Sequence, residues 1–181
     1  VSKTGHDFLR ELCSFEADFN AFEPRLDPET NRVKYIAHQL TIMGLPFERD
    51  IFDTDNIKSS TPNKLKFINI NVLIKGKDET QTTVFLAHHD TVTKESENAQ
   101  DNTASICNLL DLCQKLKVNM PDSNVLICFV DAEEIVSTTR SGAARLAYRI
   151  KQGDFGVVPY VVNLELSGLG KVLWASSYER N

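Results

Sequence analysis

The chain has 181 residues, a formal net charge of -5 and 41% hydrophobic residues, which suits one domain with a buried core. Its lysines and arginines are scattered and form no basic stripe, which argues against nucleic acid as a partner. No apolar run approaches the roughly 20 residues that cross a bilayer. The first residues also lack the apolar core of a secretion signal. We therefore expect neither a nucleic-acid partner nor a membrane partner.

The four cysteines lie singly within apolar helical or strand patterns, at Cys13, Cys107, Cys113 and Cys128. This placement is typical of small buried hydrophobic residues and predicts neither a disulfide framework nor a thiolate zinc site. Such cysteine usage suits a reducing compartment, so we expect a cytoplasmic protein.

Two amphipathic helices are predicted at the start of the chain. Apolar residues recur at helical spacing at Phe8, Leu9, Leu12, Phe15 and Phe19, and again at Val33, Ile36, Ala37, Leu40 and Met43. Pro28 and Gly44 mark the boundaries of the second helix. A strand over 45–52 follows, and the polar residues 53–66 predict a flexible loop.

From residue 67 onward, strands and helices alternate. Strands are predicted over 67–74, 84–87, 125–130, 157–164 and 171–175, a polar turn over 76–82, and helices over 101–116 and 141–150. Strands that are apolar on both sides and separated by helices indicate a sheet covered on both faces. The predicted fold is α/β: a single domain over 1–181, built as a three-layer α/β/α sandwich with a mixed, mostly parallel central sheet.

Imidazole and carboxylate side chains follow the ends of three predicted strands. His88 and Asp90 follow the first, Glu133 and Glu134 the second, and Glu165 the third, while Asp101 opens the helix after the first strand. Ligands bind beyond the carboxyl ends of the strands in sheets of this kind. These side chains are therefore expected to converge on one end of the sheet.

Each of these residues also has an ordinary structural explanation. Asp101 alone would be a helix N-cap, His88 a hydrogen-bonded core histidine, and the pair of glutamates a solvated turn. Glu165 is harder to explain in this way, because a buried unpaired carboxylate is costly. None of the structural explanations accounts for all the groups sharing one end of the sheet.

A metal ion explains the groups together, since imidazole nitrogen and carboxylate oxygen are zinc ligands. Asp90 lies two residues after His88, so both side chains point the same way in an extended segment, and Asp90 could orient the imidazole. The side chains of Glu133 and Glu134 diverge. One of the two could bind metal while the other acts as a general base on water.

The order of these motifs resembles the co-catalytic zinc exopeptidases of the bacterial leucyl aminopeptidase and glutamate carboxypeptidase type. The resemblance begins at 32–48 and continues through Asn-Val-Leu-Ile-Lys-Gly-Lys at 71–77. It includes four later segments: Phe-Leu-Ala-His-His-Asp-Thr-Val at 85–92, Asp-Asn-Thr-Ala-Ser at 101–105, Asp-Ala-Glu-Glu at 131–134, and Asn-Leu-Glu-Leu-Ser-Gly at 163–168. It implies a phosphorylase/hydrolase-like zinc peptidase fold.

The resemblance also implies a role for each residue. His88 would be a terminal zinc ligand oriented by Asp90, Asp101 would bridge two zinc ions, and Glu165 would complete the ion held by His88. Glu133 would be the general base, and Glu134 a ligand of the other zinc. His89 lies at a variable position and is not assigned to metal.

Two features depart from the family pattern. The usual Gly-rich stretch after the glutamate pair is replaced by Ile-Val-Ser-Thr-Thr-Arg-Ser-Gly at 135–142. The histidine that relatives carry downstream, on the zinc of Glu134, does not occur in the 16 residues after Glu165. We therefore expect one or two zinc ions, of which the second lacks one histidine ligand in this chain. We also expect the chain to be C-terminally incomplete.

Three functions fit this sequence. The first is an aminopeptidase acting on peptides or amino-acid amides. The second is a metal-dependent deacylase or carboxypeptidase, although the 31 residues from Glu134 to Glu165 leave no room for the lid domain that such relatives often insert. The third is a non-catalytic binding domain derived from the same scaffold.

Overall fold

The computed structural model describes residues 3–15, 27–55, 64–91, 98–134 and 140–167. Its helices are α1 (Gly5–Cys13), α2 (Asn31–Met43), α3 (Ala104–Val118) and α4 (Gly142–Gln152), with a π-helical turn at Ala99–Thr103 before α3. Its strands are β1 (Glu48–Asp55), β2 (Lys64–Ile74), β3 (Asp78–His88), β4 (Ser123–Val130) and β5 (Val157–Asn163). Among the described residues, no helix is both long and apolar enough to span a membrane.

The five strands form one mixed sheet in the order β1-β2-β4-β3-β5. β1 pairs with β2, and β2 with β4, in antiparallel orientation. β3 pairs in parallel with both β4 and β5, so the strands that precede the candidate site run in the same direction. The predicted α/β class with a mixed sheet is confirmed.

Helices cover both faces of this sheet and produce the predicted three layers. On one face, α1, α2 and α3 bury Leu12, Ile36 and Leu109 against strand residues such as Ile70 and Ile127. On the other face, Leu146 of α4 packs in a core that also contains Val84, Leu86, Leu126, Cys128 and Val130. β4 is buried along almost its whole length, as the uninterrupted apolar run over 125–130 predicts.

Local signals set the ends of the helices. The Thr30 side chain accepts a hydrogen bond from the Val33 amide and caps α2. Gly44 ends the same helix with φ 68°, in the left-handed region that glycine adopts without a steric penalty. α1 ends at Cys13, so Phe15, which the apolar spacing places on the first helix, lies beyond its end. Phe19 lies outside the described residues.

The cysteines largely follow the sequence prediction. Cys107, Cys113 and Cys128 are buried, and Cys13 is half-buried. Burial raises the pKa of the Cys107 and Cys113 thiols to about 12, because the thiolate form loses its hydration. These two side chains therefore behave as small apolar residues of the core.

Two polar segments are strand where the sequence predicts otherwise. β3 begins at Asp78, inside the predicted turn, because this end of the strand projects toward solvent and its first residues tolerate polar side chains on both faces. β1 and β2 extend into the predicted 53–66 loop from either side. The remainder of that loop, 56–63, and the predicted strand at 171–175 lie outside the described residues.

β5 is an edge strand of the described sheet and differs from the prediction in its burial. Its sequence, Val-Val-Pro-Tyr-Val-Val-Asn, is apolar on both sides, and we expected cover on both faces. Instead, Val157 is 64% exposed, Tyr160 69% and Val161 54%. The prediction of a buried strand is therefore wrong for β5, because none of the described helices packs over these side chains.

Candidate metal centre

The parallel strands bring the predicted site residues to one end of the sheet. β3 ends at His88, β4 is followed by the turn that carries Glu133 and Glu134, and β5 is followed by Glu165. Because β3, β4 and β5 are mutually parallel in the order β4-β3-β5, their carboxyl ends lie side by side. The predicted convergence follows from the topology.

His88, Asp101 and Glu165 form the first group of possible metal donors. The Nε2 atom of His88 lies 3.0 Å from Asp101 Oδ1 and 3.3 Å from Glu165 Oε1. The three donor atoms all lie within 4.8 Å of one another. The histidine side chain is 1% exposed, whereas the two carboxylates are 52% and 40% exposed, so the group opens to solvent on its carboxylate side.

Glu133 and Glu134 form a second donor group with the same histidine. One donor atom from each of the three side chains lies within 4.8 Å of the others. Glu133 is exposed and Glu134 is half-buried. His88 is therefore the common member of both groups, and the structure brings all five predicted metal and base residues to one place.

Asp90 lies behind this arrangement and is almost fully buried. Its two carboxylate oxygens accept hydrogen bonds from the Glu133 amide at 3.2 Å and the Glu134 amide at 3.0 Å. One oxygen lies 3.4 Å from His88 Nδ1, too far for a well-formed hydrogen bond. Asp90 thus holds the turn of Glu133 and Glu134 (the glutamate turn) by hydrogen bonds. The negative charge of Asp90 acts on the His88 imidazole.

The electrostatics of the cluster are those of a site that attracts a cation. Burial by itself would lower the pKa of His88, but the nearby carboxylates of Asp90 and Glu165 outweigh it and raise the pKa to about 11. Partial loss of hydration and neighbouring carboxylates raise the pKa of both Glu133 and Glu134. Burial of Asp90 opposes ionisation, yet His88 lowers its pKa.

The donor set fits zinc in both chemistry and spacing. Zinc binds imidazole nitrogen and carboxylate oxygen at about 2.0–2.2 Å, so a tetrahedral site separates neighbouring donors by roughly 3.3–3.6 Å. The distances from His88 Nε2 to Asp101 Oδ1 and Glu165 Oε1 are 3.0 and 3.3 Å, close to that spacing. The three side chains could therefore hold one ion with small adjustments.

A second layer of contacts holds Asp101 and Glu165 in place. Asp101 does not open an α-helix as predicted: its φ and ψ are -113° and 96°, and α3 begins only at Ala104. The next side chain, Asn102, is fully buried and donates a hydrogen bond to the Leu164 carbonyl at 2.9 Å. The Leu164 amide donates to Leu86 of β3 at 2.8 Å. These bonds join the Asp101 segment, β3 and the Glu165 segment.

His89 and Asp131 are structural neighbours of the site. The imidazole of His89 is buried and its Nε2 lies 2.9 Å from the Ile68 carbonyl, away from the donor groups, in agreement with its exclusion from the predicted ligands. The Asp131 carboxylate accepts hydrogen bonds from the amides of Ile68 and Ala132 at 3.0 and 2.9 Å. Both residues tie the site to β2.

With this geometry established, comparisons with known proteins place the chain in a family. The family description "Peptidase family M28" matches residues 69–177, which is more than half of the chain. The chain therefore belongs to peptidase family M28, and the resemblance to co-catalytic zinc exopeptidases is confirmed. No curated protein matches the chain.

Several solved structures share the fold at low sequence identity. The Fimbriiglobus ruber glutaminyl cyclase is 15% identical with a TM-score of 0.69, over 90% of this chain and 63% of that chain. A leucine aminopeptidase precursor from Bacteroides thetaiotaomicron VPI-5482 is 16% identical with a TM-score of 0.66, over 90% of this chain and 61% of that chain. The Macrostomum lignano glutaminyl cyclase is 21% identical with a TM-score of 0.64, over 91% and 53%. This chain thus spans between half and two thirds of these structures.

Proposed function

We propose that this chain acts as a zinc-dependent aminopeptidase, which hydrolyses the peptide bond after the first residue of a peptide or amino-acid amide. One observation supports the proposal more than any other. His88 lies within metal-donor distance of two pairs of carboxylates at once: Asp101 with Glu165, and Glu133 with Glu134. The aminopeptidase precursor among the structural neighbours is consistent with this activity.

In this proposal, His88, Asp101 and Glu165 would hold the first zinc ion. Asp101 and Glu134 would contribute to a second ion. Zinc, when bound, supplies Lewis acidity toward water and toward the carbonyl of the bond to be cleaved. Asp90 holds the Glu133–Glu134 turn through two amide hydrogen bonds, so both glutamates keep a fixed position relative to His88.

Glu133 moves the proton in this scheme. It is the more exposed of the two glutamates, so its carboxylate can reach a substrate, whereas the half-buried Glu134 suits a ligand. Glu133 accepts the proton that the attacking water loses and passes it to the nitrogen of the leaving amine. A positioned carboxylate of this kind contributes about 10²–10⁴-fold to the rate.

The Glu133→Gln variant tests this role. We expect it to bind zinc as the wild type does and to lose about 10²–10⁴-fold in turnover, because the amide cannot accept the proton. Zinc content by atomic absorption and hydrolysis of aminoacyl p-nitroanilides provide the measurements. Glu79→Gln, on the exposed start of β3, is the matched control and should change neither quantity. Wild-type turnover in Glu133→Gln would refute the assignment.

A second candidate function is cyclisation of an N-terminal glutamine, which releases ammonia without consuming water. The similarity of the fold to several glutaminyl cyclases favours it. Glu133 would suit this reaction equally, since a proton must again pass from the attacking amine to a leaving nitrogen. The two activities therefore differ in substrate and not in the position of the base.

Mass spectrometry of three substrate types separates the candidates. An aminopeptidase releases a free amino acid from an unblocked peptide, and a cyclase converts an N-terminal Gln peptide to a product lighter by one ammonia. Hydrolysis of N-acylated amino acids alone would instead indicate a deacylase or carboxypeptidase. Stoichiometric zinc with no conversion of any substrate would favour a non-catalytic binding domain.

A further inference from the structure

Arg32 is a buried arginine at the second position of α2, only 3% exposed. Its three guanidinium nitrogens point to three different parts of the chain. Nε donates to the His89 carbonyl at 2.8 Å, Nη2 to the Thr103 hydroxyl at 2.9 Å, and Nη1 to the Leu12 carbonyl at 3.4 Å. Burying a charged side chain is costly without hydrogen bonds, so these three contacts are what allow an arginine to be buried at this position.

Two of these partners are immediate neighbours of proposed zinc ligands. His89 follows His88, and Thr103 lies two residues after Asp101. The Thr103 hydroxyl in turn donates to the Asn98 carbonyl at 2.6 Å, which closes the turn that carries Asp101. A single planar guanidinium thus joins the end of β3 to the π-helical turn.

The third contact fixes the guanidinium from the opposite direction. The Leu12 carbonyl belongs to the last turn of α1, where helix carbonyls carry partial negative charge and favour a cation. The planar fork of arginine suits three acceptors at fixed directions, and a lysine ammonium cannot reproduce that geometry. α1 and α2 therefore support the site although neither contributes a donor to it.

We propose that Arg32 is a positioning residue, which sets the distance between the His88 and Asp101 donors and thereby tunes zinc affinity. The inference rests on the proposed zinc site. Contacts behind the ligands of a metal site affect affinity by about 10–100-fold when they are removed. Arg32 does not contact the ligand side chains. It binds the backbone next to His88 and the turn that carries Asp101.

The competing explanation is that Arg32 only fastens α2 to the rest of the fold. The two explanations differ in what they predict for the folded, metal-free protein. A fastening role lowers stability and leaves zinc affinity unchanged, whereas a positioning role lowers zinc affinity in a protein that remains folded. Arg145 provides the matched control, since it is bonded to Asp50 at 2.9–3.2 Å on a helix that supplies no donor.

The experiment uses the full chain in four forms: wild type, Arg32→Met, Arg32→Lys and Arg145→Met. Competition with a chromogenic chelator gives the dissociation constant for Zn²⁺, and circular dichroism gives the unfolding temperature of each metal-free form. We expect Arg32→Met to weaken zinc binding at least tenfold, and Arg32→Lys to restore part of the loss. Arg145→Met should lower the unfolding temperature and keep zinc affinity within twofold of wild type.

Thr103→Val keeps the assay decisive if Arg32→Met does not fold. It removes the hydroxyl that links Arg32 to the Asp101 turn and leaves the guanidinium in place. We expect weaker zinc binding in this variant also. Wild-type zinc affinity in folded Arg32→Lys and Thr103→Val would overturn the inference. Zinc affinity tests the role of Arg32, whereas substrate conversion by the wild type tests the proposed function, so the two can fail separately.

Discussion

At the scale of single residues, some side chains of the site can be recognised from the sequence and others cannot. His88, Asp101 and Glu165 are titratable groups at predicted strand ends or at a predicted helix start, and their residue type already suggests a metal. Arg32 and Asn102 give no such signal. Arg32 lies in the first turn of an amphipathic helix, where a charged residue ordinarily faces solvent, and only the tertiary fold reveals its burial.

Asp90→Asn probes the support that lies behind the zinc ligands. The amide retains the size of the carboxylate but removes the charge that acts on His88 and weakens the bonds to the Glu133 and Glu134 amides. We expect zinc affinity to fall about 10–100-fold. Titration of the metal-free protein with Zn²⁺ against a chelator provides the measurement.

The same change at Asp50 provides the control for Asp90→Asn. Asp50 is also a buried aspartate, and it is paired with Arg145 away from the donor groups. Asp50→Asn should reduce stability without altering zinc affinity. Equal zinc affinities in the two variants would show that Asp90 has no specific effect on the metal.

At the scale of elements, the sequence predicted which segments form strands better than it predicted which elements cover them. β4 is apolar over 125–130 and is buried, because strands of the sheet flank it and helices cover its faces. β5 has a similar composition and is exposed. The composition of a strand indicates whether its side chains suit burial, but it does not indicate which elements pack against it. The exposure of β5 could therefore not be predicted from its sequence.

The start of α4 links the sheet to the glutamate turn, and Gly142 is the residue that allows it. A Cβ atom at Gly142 would lie 2.2 Å from Asn69 Oδ1 and 2.6 Å from the Asp131 amide nitrogen and carbonyl oxygen. We expect Gly142→Ala to lower the free energy of unfolding by about 1–3 kcal/mol through overpacking. Urea denaturation followed by circular dichroism measures the change.

Gly5→Ala is the matched control for Gly142→Ala. Both glycines are the first residue of a helix, but nothing lies within 4 Å of a Cβ at Gly5. Alanine there should leave stability unchanged or raise it by about 0.5–1 kcal/mol, since glycine loses more backbone entropy on folding. A loss at Gly5 as large as that at Gly142 would contradict the steric explanation.

At the scale of the whole molecule, the donors come from segments that are far apart in the chain. His88 and Glu165 are separated by 77 residues and meet only when the sheet has formed. The unfolded chain therefore offers no assembled site, and zinc should bind mainly to the folded state. Free zinc at 100 times its dissociation constant would then add about 2.7 kcal/mol to the free energy of unfolding.

Removal of zinc tests this coupling. We expect EDTA to lower the unfolding temperature and added Zn²⁺ to restore it in a concentration-dependent way, as recorded by differential scanning calorimetry. Magnesium at the same concentration serves as the control, because it prefers octahedral oxygen ligands and keeps several waters. An unfolding temperature that is insensitive to zinc would contradict selective binding to the folded state.

The exposure of β5 has a consequence for how the site opens. β5 is bonded to the sheet along one side in the described fold, buries few side chains, and ends two residues before Glu165. Segments of this kind fluctuate at low free energy, so zinc should leave the protein mainly when β5 detaches locally. Hydrogen–deuterium exchange should then slow at the β5 amides when zinc binds, and remain unchanged at β1, the opposite edge strand, which supplies no ligand. Equal protection of both strands would mean that release requires unfolding of the entire sheet.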